Sequence, residues 1–133
     1  MAEPGDDGGV EARLAQPGGV TYMQIPALDV RASAAFYARV FGWATHDRGG
    51  DAHMGFDDGA THLSGAFVTG RAIAREPGIL PDVYVDGVDA ALERATAAGG
   101  EVVTPPYPEG DLWVATLRDP AGNIIGVWRA GAR

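Results

Sequence analysis

Three side chains that bind metals readily, His46, His53 and His62, fall close together in the first half of the chain. With a carboxylate such as Asp47, Asp51 or Asp57 they supply the donor types of a divalent-metal centre, and the chain has no cysteine to add a thiolate. Their surroundings argue against that use. His46 and His53 adjoin turns rich in Gly and Asp, and His62 is out of phase with Leu63, Gly65 and Phe67, so strand alternation turns it to the other face. All three are expected at the surface, and no metal is expected on them. Asp82 and Tyr84 form the second group. Alternation puts both on one face of a strand, and an apolar setting would raise the carboxyl pKa, giving a candidate acid or base beside a phenol. The remaining carboxylate clusters, Asp6-Asp7, Asp57-Asp58 and Glu109 with Asp111, read as solvated charge in a tail or in turns. No phosphate-cradling loop is visible: the Gly pairs close helices or turn hairpins.

These residues need a scaffold, and the composition bounds it. A chain of 133 residues, 46% hydrophobic and 21% charged, suits one domain with its own core. A net charge of −8 argues against binding nucleic acid or an anionic membrane, both of which require clustered cations. No apolar run approaches the ~20 residues of a membrane-spanning helix. Residues 1–19 are acidic and rich in Gly and Pro, without the basic start and apolar stretch of a signal peptide. They are expected to be a disordered tail, and the protein is expected to be cytoplasmic.

The rest of the chain reads twice. Val20–Ile25 is a strand candidate, Asp29 an N-cap, and Val30–Phe41 a helix whose Phe36, Tyr37, Val40 and Phe41 form an apolar stripe ended by Gly42. Leu80–Val85 repeats the strand, and Val88, Ala91, Leu92 and Ala95 repeat the helix face, closed by Gly99-Gly100. Each helix precedes further strand candidates: Trp43–Asp47, His53–Phe56 and Leu63–Thr69, then Glu101–Thr104, Leu112–Arg118 and Ile124–Arg129. The order β-α-β-β-β therefore occurs in module one, 20–69, and again in module two, 79–130, joined by a linker at 70–78. The fold class is α+β, with curled mixed sheets around an open cavity.

Several segments carry a family resemblance: Ile25-Pro-Ala-Leu-Asp29, Ala34-Ala-Phe-Tyr37, Val40-Phe-Gly-Trp43, Val85-Asp86, Ala98-Gly-Gly-Glu101 and the turn Asp119-Pro-Ala-Gly-Asn123. In this order they resemble the vicinal-oxygen-chelate superfamily of glyoxalase, bleomycin-resistance and dioxygenase-like proteins. The resemblance implies a homodimer and, in its metal-dependent members, one ligand from the first and one from the last strand of each module. Threading places Val20, Gly65, Leu80 and Gly126 at those positions, with Leu63–Phe67 matched to Ile124–Trp128. None has a donor side chain, so no metal and no other cofactor are expected.

Alternation from those positions turns Tyr22, Gln24, Phe67, Asp82, Tyr84 and Trp128 into the cavity. Trp113, which alternation leaves free to face either side, could join Tyr107 and Pro105-Pro106 in a flap. An aromatic, largely apolar concavity with a few polar points suits a flat organic ligand held by stacking. The first expectation is metal-independent binding of a small aromatic molecule, resembling the antibiotic-sequestering members, with the acidic charge weakly favouring a cationic ligand. The alternative is a metal-free isomerase, cyclase or other tailoring enzyme using Asp82 and Tyr84 as acid and base. A metal-dependent glyoxalase- or dioxygenase-type enzyme ranks third. The partner in each case is a small molecule.

Overall fold

The structure is a computed structural model that describes residues 16–50, 53–61 and 63–133, with side chains placed outside 48–53. Most of the expected tail, along with His62 and the His53 side chain, lies outside that description. Strand β1 (Tyr22–Pro26) leads to helix α1 (Val30–Phe41), and β2 (Ala44–Gly50), β3 (His53–Asp57) and β4 (Ser64–Val68) complete module one. Module two follows with β5 (Asp82–Tyr84), α2 (Val88–Ala97), β6 (Glu101–Glu109), β7 (Leu112–Arg118) and β8 (Ile124–Ala130). No helix among the described residues is long and apolar enough to cross a membrane.

Each module makes its own four-stranded sheet, ordered β1-β4-β3-β2 and β5-β8-β7-β6. The first strand pairs parallel with the last in both, and the other pairings are antiparallel. The helix is what permits this, because a parallel pairing needs a long crossover and α1 or α2 provides it. Asp29 starts α1 by accepting from the N–H groups of Arg31 and Ala32 at 3.0 and 3.2 Å. Such a cap is worth about 1 kcal/mol. Gly42 stops the helix at φ 76°, a left-handed conformation that a side chain would strain.

The stripe on α1 buries Phe36, Tyr37 and Val40. Tyr37 stacks on Trp43 with ring centroids 4.9 Å apart, and Trp43 on Phe56 at 4.8 Å. Phe67 closes the cluster, 5.0 Å from Phe56 and 5.3 Å from Tyr37. Helix α2 buries the shorter Val88, Ala91, Leu92 and Ala95. A buried polar knot then ties the modules together. The Tyr37 hydroxyl donates to Asp119 Oδ2 at 2.8 Å, Asn123 Nδ2 donates to the Pro26 carbonyl at 2.7 Å, and Ala74 N–H donates to Asn123 Oδ1 at 2.8 Å. The turn Asp119–Asn123 thus anchors module one and the segment that connects the modules.

One element differs from expectation. Pro105-Pro106 does not end a strand and begin a flap; β6 continues to Glu109 through register shifts between Val102, Thr104 and Tyr107. Since β6 is the edge of its sheet, prolines without an N–H donor cost it no ladder partner on the open side.

Candidate functional site

Among the described residues no hydrogen-bonded ladder joins the two sheets. Residues of both modules line a cavity of about 570 Å³. Module one contributes Met23 from β1, Phe41 and Trp43 from the end of α1, and Leu63 beside β4. Module two contributes Asp82, Val83 and Tyr84 from β5 with Ile125 and Trp128 from β8. Val20 and Ile79 stand at 83% and 88% exposure and also line it, so large apolar side chains with little other cover border the space.

Polar groups are few. Asp58 lines the cavity, but its carboxylate accepts from Ala60 N–H and Thr61 N–H within its own turn. Asp82 is different: no described residue hydrogen-bonds or ion-pairs with it. It pairs with Gly126 across β5 and β8, and its carboxylate lies in the space that a Gly126 side chain would fill. Partial burial, and secondarily the charge of Glu109, raise its pKa above the ordinary carboxylate value. Folding therefore takes up a proton at pH values just above 3.8, and stability falls as pH rises through that window. Asp82→Asn is accordingly expected to melt at or slightly above the wild-type temperature at pH 7, with the difference vanishing below about pH 4. Melting curves across pH check this; a variant less stable at pH 7 than wild type would contradict it.

Tyr84 stands half exposed, edge-on to Trp128 with centroids 4.8 Å apart and planes at 81°. The structure brings the candidates Asp82, Tyr84 and Trp128 together at this cavity. It puts the other four candidates elsewhere. Tyr22 and Gln24 lie exposed on the open face of the first sheet and do not line the cavity. Phe67 is 0% exposed and belongs to the aromatic core under α1. Trp113 packs toward the core on the helix side of β7, with the Arg133 guanidinium 4.8 Å above its ring. It forms no flap.

The error at Phe67 is a one-residue slip. Ser64 N–H donates to the Thr21 carbonyl at 2.9 Å, and Gly126 N–H donates to the Pro81 carbonyl at 2.9 Å. Ser64, not Gly65, is therefore the counterpart of Gly126, and Ala66 that of Trp128. A slip of one residue reverses the face of every side chain. The residues missed were Met23, Val83 and Ile125, which lie on the helix side of their strands, together with Phe41 and Trp43.

The metal that the superfamily resemblance implies does not fit these positions. With the register corrected, the paired first- and last-strand residues are Tyr22 with Ser64 and Asp82 with Gly126, which offer one carboxylate. Among the described residues no three His, Asp or Glu side chains gather into a ligand set, and His46 lies exposed on β2.

Comparison with known proteins agrees with the fold. A family model described as a glyoxalase-like domain matches residues 22–127. The chain is 30% identical over 119 residues to a putative glyoxylase, CFP32, of Mycobacterium bovis, covering 82% of this chain and 44% of that protein. It is 31% identical over 139 residues to the anthracycline biosynthesis protein DnrV of Streptomyces peucetius, covering 86% and 48%. The chain therefore spans about half the length of the curated relatives it matches. Among solved structures, TnmS3, an antibiotic-binding protein from Streptomyces sp. CB03234, superposes with a TM-score of 0.65 at 24% identity, covering 84% of this chain and 95% of that one.

Proposed function

Because the chain belongs to the glyoxalase-like domain family of the vicinal-oxygen-chelate superfamily, we propose that it binds a small, flat aromatic molecule between its two modules without using a metal. The observation that carries this reading is the cavity of about 570 Å³ bordered by Trp43, Tyr84 and Trp128, with Asp82 as its uncommitted polar group. A volume of this size holds a drug-like ligand, and rings standing edge-on offer faces for stacking. A relative named for anthracycline biosynthesis and a fold neighbour named as antibiotic-binding support the same ligand class. The working form is a homodimer.

A titration with an anthracycline, followed by quenching of tryptophan fluorescence, tests the binding reading. Wild type is expected to saturate at one ligand per chain, and Trp128→Ala to bind at least about tenfold more weakly, the loss of one aromatic stacking partner being worth roughly 1.5 kcal/mol. Equal affinity in the two proteins would remove the cavity from the proposal.

The second reading, a metal-free tailoring enzyme, is favoured by one observation: the elevated pKa of Asp82 beside Tyr84 in the same cavity. In that case Asp82→Asn would retain affinity and lose turnover. Turnover that persists in the variant would rule out Asp82 as the acid or base.

A further inference from the structure

Two arginines from different helices converge on a recess beside the seam cavity. Arg39 stands in the last turn of α1 and Arg94 in that of α2. Together with Gly42, Val85 and Asp86 they border a space of about 380 Å³. Phe41 and Tyr84 line both this recess and the seam cavity, so the two spaces share a wall.

Neither guanidinium group here reaches a carboxylate of the described residues. Arg31, Arg118 and Arg133 each reach a carboxylate, on Asp47, Glu101 and Asp89. Arg94 donates only its Nε–H, to the Val40 carbonyl at 3.0 Å, which fixes the fork and leaves its terminal N–H groups without a described partner. Arg39 has no described hydrogen-bond or ion-pair partner. Asp86 is the one carboxylate residue bordering the recess, set against two cations. Its backbone carbonyl already accepts from Arg129. A guanidinium anchored through its Nε–H beside a second one without a described partner is a good receptor for a planar or tetrahedral oxyanion.

We propose that Arg39 and Arg94 form an anion subsite for the carboxylate or phosphate of a ligand whose aromatic body lies in the seam cavity. The ligand class is then narrowed to an aromatic molecule that bears an acidic substituent. This rests on the binding reading above, and Tyr84, shared by both spaces, is the joint between the ring and its acidic substituent.

Calorimetric titration of the full chain with 2-naphthoate and with its uncharged methyl ester tests the proposal. Wild type is expected to bind the acid at least about tenfold more tightly than the ester, as a charge-assisted contact would provide. Arg39→Gln should abolish that preference and leave the ester's affinity unchanged. Acid and ester binding alike in wild type, or a variant that weakens both equally, would overturn it. If neither aromatic binds, titration with inorganic phosphate decides the subsite separately, read from the side-chain N–H resonances of arginine. Saturable shifts confined to Arg39 and Arg94 would uphold the subsite while the aromatic reading fell. No shift, or uniform shifts across all arginines, would overturn the subsite.

Discussion

Replacing Asp119 by alanine is expected to cost about 4 kcal/mol of folding stability, the largest single loss of any polar substitution among the described residues. Asp119 is 3% exposed. It accepts from the Tyr37 hydroxyl, from the N–H groups of Ala121, Gly122 and Asn123 at 3.0 Å each, and from Asn123 Nδ2 at 2.8 Å. Alanine would strand these donors where water cannot replace the lost acceptor. The loss should exceed that of Tyr37→Phe, which removes one donor and leaves the carboxylate its other partners, at about 1 kcal/mol. A pH dependence separates the two roles. Burial, then the Asp119 charge and the hydrogen bond to it, hold the Tyr37 hydroxyl pKa well above 10.0. The folded chain therefore keeps a proton that the unfolded chain loses above about pH 10, and stability falls as pH rises past that point. Tyr37→Phe should lack this component. Chemical denaturation of both variants at neutral and alkaline pH checks the pair; equal losses for Asp119→Ala and Tyr37→Phe would contradict the knot's assigned structure.

The second large effect is expected at Gly65. A Cβ built there would lie 1.9 Å from the Met23 carbonyl oxygen and 2.6 Å from the Phe56 ring. The first neighbour is backbone of the paired strand β1. It cannot withdraw without opening the β1–β4 ladder, and Phe56 cannot withdraw without opening the aromatic core. Gly65→Ala should therefore lose about 3 kcal/mol or more, or fail to fold. Gly126→Ala is the contrast. There the close neighbour is the Asp82 carboxylate, the end of a side chain that can rotate away. That variant should fold, with Asp82 displaced into the cavity. Similar melting temperatures for the two glycine variants would contradict the register that separates Gly65 from Gly126.

The same two glycines mark where the sequence could be read and where it could not. The order of strands and helices was legible because local chemistry states it: Asp29 and Gly42 bound α1, Gly99-Gly100 follows α2, and each helix carries a three-to-four-residue apolar spacing. The strand faces of module two were legible too, because Asp82, Tyr84, Gly126 and Trp128 are in phase. Module one was read one residue out of step because Phe67 and Trp128 look alike as aromatics near the end of a last strand. What distinguishes them is the hydrogen-bond partner of Ser64, which no local pattern records. The cavity itself was only half legible. Met23, Val83 and Ile125 read as core residues by alternation, and they line a space only because two separately built sheets leave a gap between the modules. That gap depends on how the modules dock through Tyr37, Asp119 and Asn123, residues far apart in sequence. Pro105 and Pro106 misled for a related reason, since the cost of a proline in a strand depends on whether the strand is an edge.

The measurement that bears most directly on metal-free ligand binding between the modules is native mass spectrometry of the full chain mixed with an anthracycline. The expected spectrum is a dimer carrying one organic adduct per chain and no divalent metal, unchanged by prior treatment with a chelator. Adduct formation that vanishes after chelation and returns with added metal would contradict it, and would require a ligand set that Tyr22, Ser64, Asp82 and Gly126 do not supply.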